Sequence, residues 1–194
     1  FVFNPARNNE HDKSGEPTTY LCYSLTKQNT DVWLAILGCI ADHFLPEELV
    51  PLFVERYSLF WGLVKEPFDA YYRTEIGTIA RALNFGLKDS VSNVVKLQNF
   101  LISCKGPEDV FSEVPGNYNF RRRYGDVRKK YEMLLEKAKH SSHGKVIFFE
   151  YSGELSMSSD LSNELSYIYP NSYVVVAFRN GNIANLSLRG KNVK

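Results

Sequence analysis

From Val32 to Ala41 the chain carries no charged side chain, and it then meets Asp42, followed by His43-Phe44-Leu45-Pro46. A helix built from such residues has no polar stripe, so it must be buried on nearly all sides. Asp42 therefore marks where a core helix stops and the chain turns. A carboxylate at that boundary is expected to accept hydrogen bonds from backbone N–H groups or to sit beside a cation, because a bare buried charge is too costly. A metal ion is one such cation.

The 194 residues suffice for one sizeable core or two small ones. Hydrophobic residues at 44% and charged residues at 23% are ordinary for a soluble globular protein. A formal net charge of +1 provides no global field toward nucleic acid, so any such role needs a local basic patch. Cys22, Cys39 and Cys104 are odd in number and share no C-x-x-C spacing. That pattern argues against a disulfide framework or zinc ribbon and for a reducing compartment. The longest uncharged apolar run is about half of what a bilayer-crossing helix needs, and no signal-peptide pattern is visible. The expectation is a soluble, cytoplasmic protein. The chain opens at Phe1 without methionine, with Phe1-Val2-Phe3 reading as a strand that runs out into Asn4-Pro5. It is therefore expected to be a piece of something longer.

Residues 6–19 are polar and turn-rich and read as a loop. Helical patterns follow at about 20–27, 31–41, 47–61 and 73–86, the last with Ile76, Ile79, Ala80 and Leu83 on one face. Leu87 to Ser103 repeats the pattern with Val91, Val94, Val95 and Leu101. Proline and glycine interrupt it from Gly106 to Asn119. Phe120 to His140 then reads as one long helix with eight basic residues (Arg121, Arg122, Arg123, Arg128, Lys129, Lys130, Lys137, Lys139) against three acidic ones, a net +5. Such a helix is either a solvated connector or a bridge between domains that also attracts phosphates.

After Ser141-Ser142-His143-Gly144 the composition changes. Lys145 to Tyr151 is strand-like, and Ser158 to Tyr169 reads as a short helix with Ser159 or Asp160 as N-cap. Tyr173-Val-Val-Val-Ala-Phe178 suits a central strand. Arg179-Asn180-Gly181-Asn182 contains the Asn-Gly pair of a type I′ hairpin turn. In the last strand, Ile183 to Arg189, Ala184, Leu186 and Leu188 share one face and Asn185, Ser187 and Arg189 the other. Ser187 and Arg189 stand roughly 7 Å apart along the strand. A hydroxyl and a guanidinium so placed can hold one phosphate; the alternative is a merely wet face.

These pieces, in order, resemble a known family. Phe1-Val2-Phe3-Asn4-Pro5, Leu37-Gly38-Cys39-Ile40-Ala41-Asp42, the basic helix, Val174 to Gly181 and Leu186-Ser187-Leu188-Arg189-Gly190 are similar to the DHH phosphoesterase superfamily. The likeness is closest to RecJ-like single-strand nucleases, with Asp42-His43-Phe44-Leu45-Pro46-Glu47 resembling the archaeal branch. The resemblance implies an α/β fold in three parts: residues 1–119 as the mostly helical C-terminal part of an incomplete DHH domain, 120–143 as a basic linker helix, and 144–194 as a small α/β DHH-associated domain lacking its end. It further implies a two-metal site of manganese or magnesium, with Asp42 as catalytic residue and metal ligand, and Ser187 and Arg189 as substrate-binding residues.

The remaining ligands, including the Asp-His-His signature, are not in this chain; they are expected upstream or on a second polypeptide. The implied activity is phosphodiesterase or exonuclease cleavage of single-stranded DNA or RNA, in repair or replication. Two alternatives stay open: a non-catalytic replisome scaffold that contacts replication proteins, and a phosphodiesterase for short oligoribonucleotides or a cyclic dinucleotide. No membrane partner is expected. His140 and His143 could pair on a metal, but no third ligand joins them at suitable spacing. No phosphate-binding glycine loop or Gly-x-Ser-x-Gly elbow occurs.

Overall fold

The computed structural model describes residues 15–191. The expected strand at Phe1-Val2-Phe3 and most of the 6–19 loop lie outside the described residues. What is described is mixed α/β and mostly helical, with eight α-helices and one small sheet. The chain divides into two compact units, Phe1–Ala80 with Lys105–Pro107, and Arg81–Cys104 with Glu108–Lys194.

In the first unit α1 (Thr18–Thr26), α2 (Val32–Ala41), α3 (Val50–Tyr57) and α4 (Pro67–Arg73) are followed by α5 (Glu75–Gly86), which runs past the division at Ala80. The uncharged segment is the centre of this unit, as its composition requires. Helix α2 packs against α1, α3 and α4 and buries Val32, Trp33, Ala35, Ile36, Cys39 and Ile40. Each large apolar side chain so buried contributes about 1.5–3 kcal/mol. Gly38 lets α1 come close, since a Cβ there would collide with the Thr19 side chain. The pattern expected at 47–61 is a shorter helix that tightens into a 3₁₀ turn at Ser58–Phe60. Helix α4 was not expected. Its signature is local: Glu66 and Asp69 form a capping box around Pro67 at the helix start.

The second unit contains α6 (Val91–Ser103), α7 (Tyr118–Lys139), β1 (Ser142–His143), β2 (Val146–Ser152), α8 (Ser158–Ile168), β3 (Tyr173–Asn180) and β4 (Ile183–Arg189). The sheet order is β1-β2-β3-β4; β2 and β3 are parallel and the other pairs antiparallel. Helix α8 makes the crossover that a parallel pair demands. Its Leu161 and Leu165 pack on Ile147, Phe149, Val174, Val176 and Phe178. The charged helix α7 belongs to the same core, through Val127, Tyr131, Leu135 and Ala138.

Three expectations are corrected here. In α6 the buried position is Leu97, while Val91 is 81% exposed and Val95 also faces outward. The helical period was right, but the apolar stripe is wider than the contact it makes. The cap position of α8 is Met157, with no side-chain cap, so Ser159 and Asp160 stand inside the first turn. The hairpin forms, yet Asn180 pairs with Ile183 and the two-residue loop is Gly181-Asn182. Gly181 has φ 59 and Asn182 is not in the positive-φ region. Glycine at the first loop position with only that residue left-handed is the type II′ pattern, not I′.

Candidate functional site

Asp42 closes α2. Its backbone N–H donates to the Gly38 and Cys39 carbonyls, so the position is set by the helix itself. Ala41 and Asp42 are both exposed: the buried helix surfaces in its last residues. The Asp42 carboxylate has no hydrogen-bond or ion-pair partner among the described residues. N–H donors or a cation are what a buried helix end would require; this one is exposed. Three residues earlier, burial pushes the Cys39 thiol up to about 12, against a hydrogen bond with Thr19 and with some help from the Asp42 charge.

A carboxylate at a helix C-terminus also faces the negative end of the helix dipole, which costs about 0.3–1 kcal/mol. Asp42 thus has a position that local stability does not explain. As a hard oxygen donor it fits manganese or magnesium. Among the described residues, however, no three His, Cys, Asp or Glu side chains gather where they could hold a metal ion. The described residues do not compose a metal centre by themselves. His140 Nδ1 donates to the Glu136 carbonyl at 2.7 Å, a local helix-end contact.

Ser187 and Arg189 lie in the second unit. Their cross-strand neighbours are Val176 and Val174, so they stand on the side of the sheet that α8 covers. The opposite side carries Leu186 and Leu188, 58% and 47% exposed. The polar face of β4 is therefore the inner one. Ser187 Oγ donates to Ser158 Oγ at 3.0 Å. Arg189 Nε donates to Asn163 Oδ1 at 2.6 Å, one Nη to Ser159 Oγ at 3.3 Å, and the other Nη to the Leu188 carbonyl at 2.7 Å. Three of the five guanidinium N–H donors are used, leaving two.

The arrangement surrounds the N-terminal turn of α8, whose first N–H groups have no intrahelical acceptor and lie at the positive end of the helix dipole. Hydroxyls of Ser158, Ser159 and Ser187 and the guanidinium converge there. Asp160, the acid of that turn, is bound to Lys88 Nζ at 2.9 Å and Asn84 Nδ2 at 2.7 Å, which offsets its charge. The chemistry suits an anion with several acceptor oxygens. Ser158 as the partner of Ser187, and Ser159 and Asn163 as partners of Arg189, were missed in the sequence. The run Ser156-Met157-Ser158-Ser159-Asp160 was its only local signal.

The eight basic residues of α7 are mostly committed. Arg121, Arg128, Lys130 and Lys139 pair with Glu113, Glu132, Glu154 and Glu136, and Arg123 donates to the Lys88 carbonyl. Arg122, Lys129 and Lys137 have no partner among the described residues. No helix among those residues is long and apolar enough to cross a membrane. No protein-family model matches the chain, and no curated protein or solved structure is recognisably similar to it.

Proposed function

We propose that this chain is part of a DHH-type, RecJ-like phosphodiesterase that hydrolyses single-stranded nucleic acid. The observation that carries the reading is the convergence of Ser187, Arg189 and the N-terminal turn of α8. A phosphate there takes the two remaining guanidinium donors, a serine hydroxyl and helix N–H groups, all at a dipole end that favours negative charge. Arg189 is already oriented by Asn163 and Ser159, so little side-chain freedom is lost on binding. In this reading Asp42 is a metal ligand. Manganese or magnesium ions, when bound, would supply an activated water and neutralise charge on the phosphodiester oxygens. The other ligands come from outside the described residues, in the same polypeptide or on a second one.

The test is hydrolysis of a labelled single strand by the complete assembly in manganese, compared with Asp42→Ala and Arg189→Ala. Loss of turnover with retained strand binding is expected for Asp42→Ala, and loss of binding with retained metal content for Arg189→Ala. A complete assembly that binds the strand but never cleaves it would instead be a scaffold.

A further inference from the structure

Four positions on the outer face of α7 fall in one line. Tyr118, Arg122, Gly125 and Lys129 follow at steps of four, three and four residues, which keeps them on one stripe of a helix. Tyr118 is 57% exposed where the helix begins. With Glu113, Val114, Pro115 and Arg121 it lines an open surface hollow of about 490 Å³. Arg121 stands on the wall, its Nε donated to Asn117 Oδ1 at 3.0 Å, with the exposed Glu113 carboxylate reaching it loosely at 3.6 Å.

Gly125 lies inside a 22-residue helix, where glycine is weaker than alanine. A Cβ added there would meet nothing within 4 Å, so packing within the chain does not require glycine. What glycine does provide is close access to the helix backbone, here between two cations that have no partner among the described residues.

We infer that this stripe is a track for single-stranded nucleic acid. One base stacks on Tyr118 in the hollow, phosphates sit at Arg122 and Lys129, and the strand backbone passes over Gly125. Alternating aromatic and cationic groups are what a single strand needs: every base has a face to stack, and the phosphates follow a positive line. A polyanion without bases has no use for Tyr118. A duplex keeps its base faces covered. The inference rests on the single-strand reading above but uses none of the residues assigned there.

The experiment is an anisotropy titration of the 194-residue chain with a labelled oligothymidylate of about ten nucleotides, beside an abasic oligomer of equal length, at fixed salt. Tyr118→Ala should weaken oligothymidylate binding about tenfold, the size of one lost stacking contact, and Tyr118→Phe should restore it. The abasic oligomer should bind parent and Tyr118→Ala alike. Replacing Arg122 and Lys129 together by alanine should weaken both oligomers and reduce the log–log salt slope by about 1.4. Gly125→Leu should weaken both by blocking the path.

Equal oligothymidylate affinity in parent and Tyr118→Ala overturns the inference, as does a duplex bound as tightly as the single strand, or unchanged binding by Gly125→Leu. Arg189→Ala separates the two readings. Loss there with none at Tyr118 removes the track and leaves the phosphate grip, whereas the reverse removes the grip and leaves the track. A parent chain that binds no oligomer removes both.

Discussion

At the end of α2 the Asp42 carboxylate stands exposed without a side-chain partner among the described residues, whereas Arg189 on β4 is tied to Asn163, Ser159 and the Leu188 carbonyl. Both are charged groups proposed for the same reaction, and the fold treats them oppositely. Asp42 is positioned by its backbone alone and sits at the unfavourable end of a helix dipole. Arg189 is oriented by its side-chain contacts beside the favourable end of another. The contrast separates two kinds of site residue. On the proposed reading, the one gains its partner only on binding, whereas the other is already part of the packing around it.

The largest effect that sharpens this contrast is expected at Asp42. In the complete assembly Asp42→Ala should lower turnover roughly a thousandfold or more, since a lost metal ligand forfeits several kcal/mol of charge stabilisation. Its melting temperature should stay level or rise slightly, because the unfavourable dipole interaction is removed. A sharp fall in melting temperature with activity per folded molecule intact would return Asp42 to a structural role. Arg189→Ala should do both things at once. Strand binding should weaken by about 1.5–3 kcal/mol, the value of a charge-assisted contact, and thermal stability should also drop as the link between β4 and α8 is lost. An unchanged melting temperature there would break the comparison.

Cys39 tests how abruptly burial ends along α2. Its thiol is raised by burial to about 12, so the neutral thiol is the form the fold favours. The associated stability is complete below the ordinary thiol value and is lost as pH climbs from about 9 toward about 12. Urea melts at increasing alkaline pH should show a steeper decline for the parent than for Cys39→Ala; parallel declines would place Cys39 nearer solvent. The smallest effect is expected at Ser187. Ser187→Ala removes the hydrogen bond to the buried Ser158 hydroxyl, a loss of about 0.5–1.5 kcal/mol readable by denaturant titration.

Much of the architecture was legible because its signals are local. The β-branched run Tyr173 to Phe178 became β3, and the uncharged segment became the buried α2, since neither composition suits an exposed element. Gly181 announced the hairpin, although its loop position was off by one residue because Asn-Gly and Gly-Asn both satisfy a two-residue turn. Helix α4 was passed over because seven residues give too few turns for a period to emerge. At the candidate site, Asp42, Ser187 and Arg189 could be singled out by type and spacing. Their surroundings could not, since Ser158 meets Ser187, and Ser159 and Asn163 meet Arg189, only after α8 has folded back across the sheet.

The sequence by itself determined which residues alternate, where charge is missing and where turns fall, because these depend on neighbours a few residues away. It determined that Ser187 and Arg189 share a side of β4. Only the tertiary structure decided that this is the side beneath α8, with Leu186 and Leu188 left outside. A period of two defines a pair of faces without saying which one is covered. The choice is made where the crossover helix lies, a contact between residues some thirty positions apart in the chain.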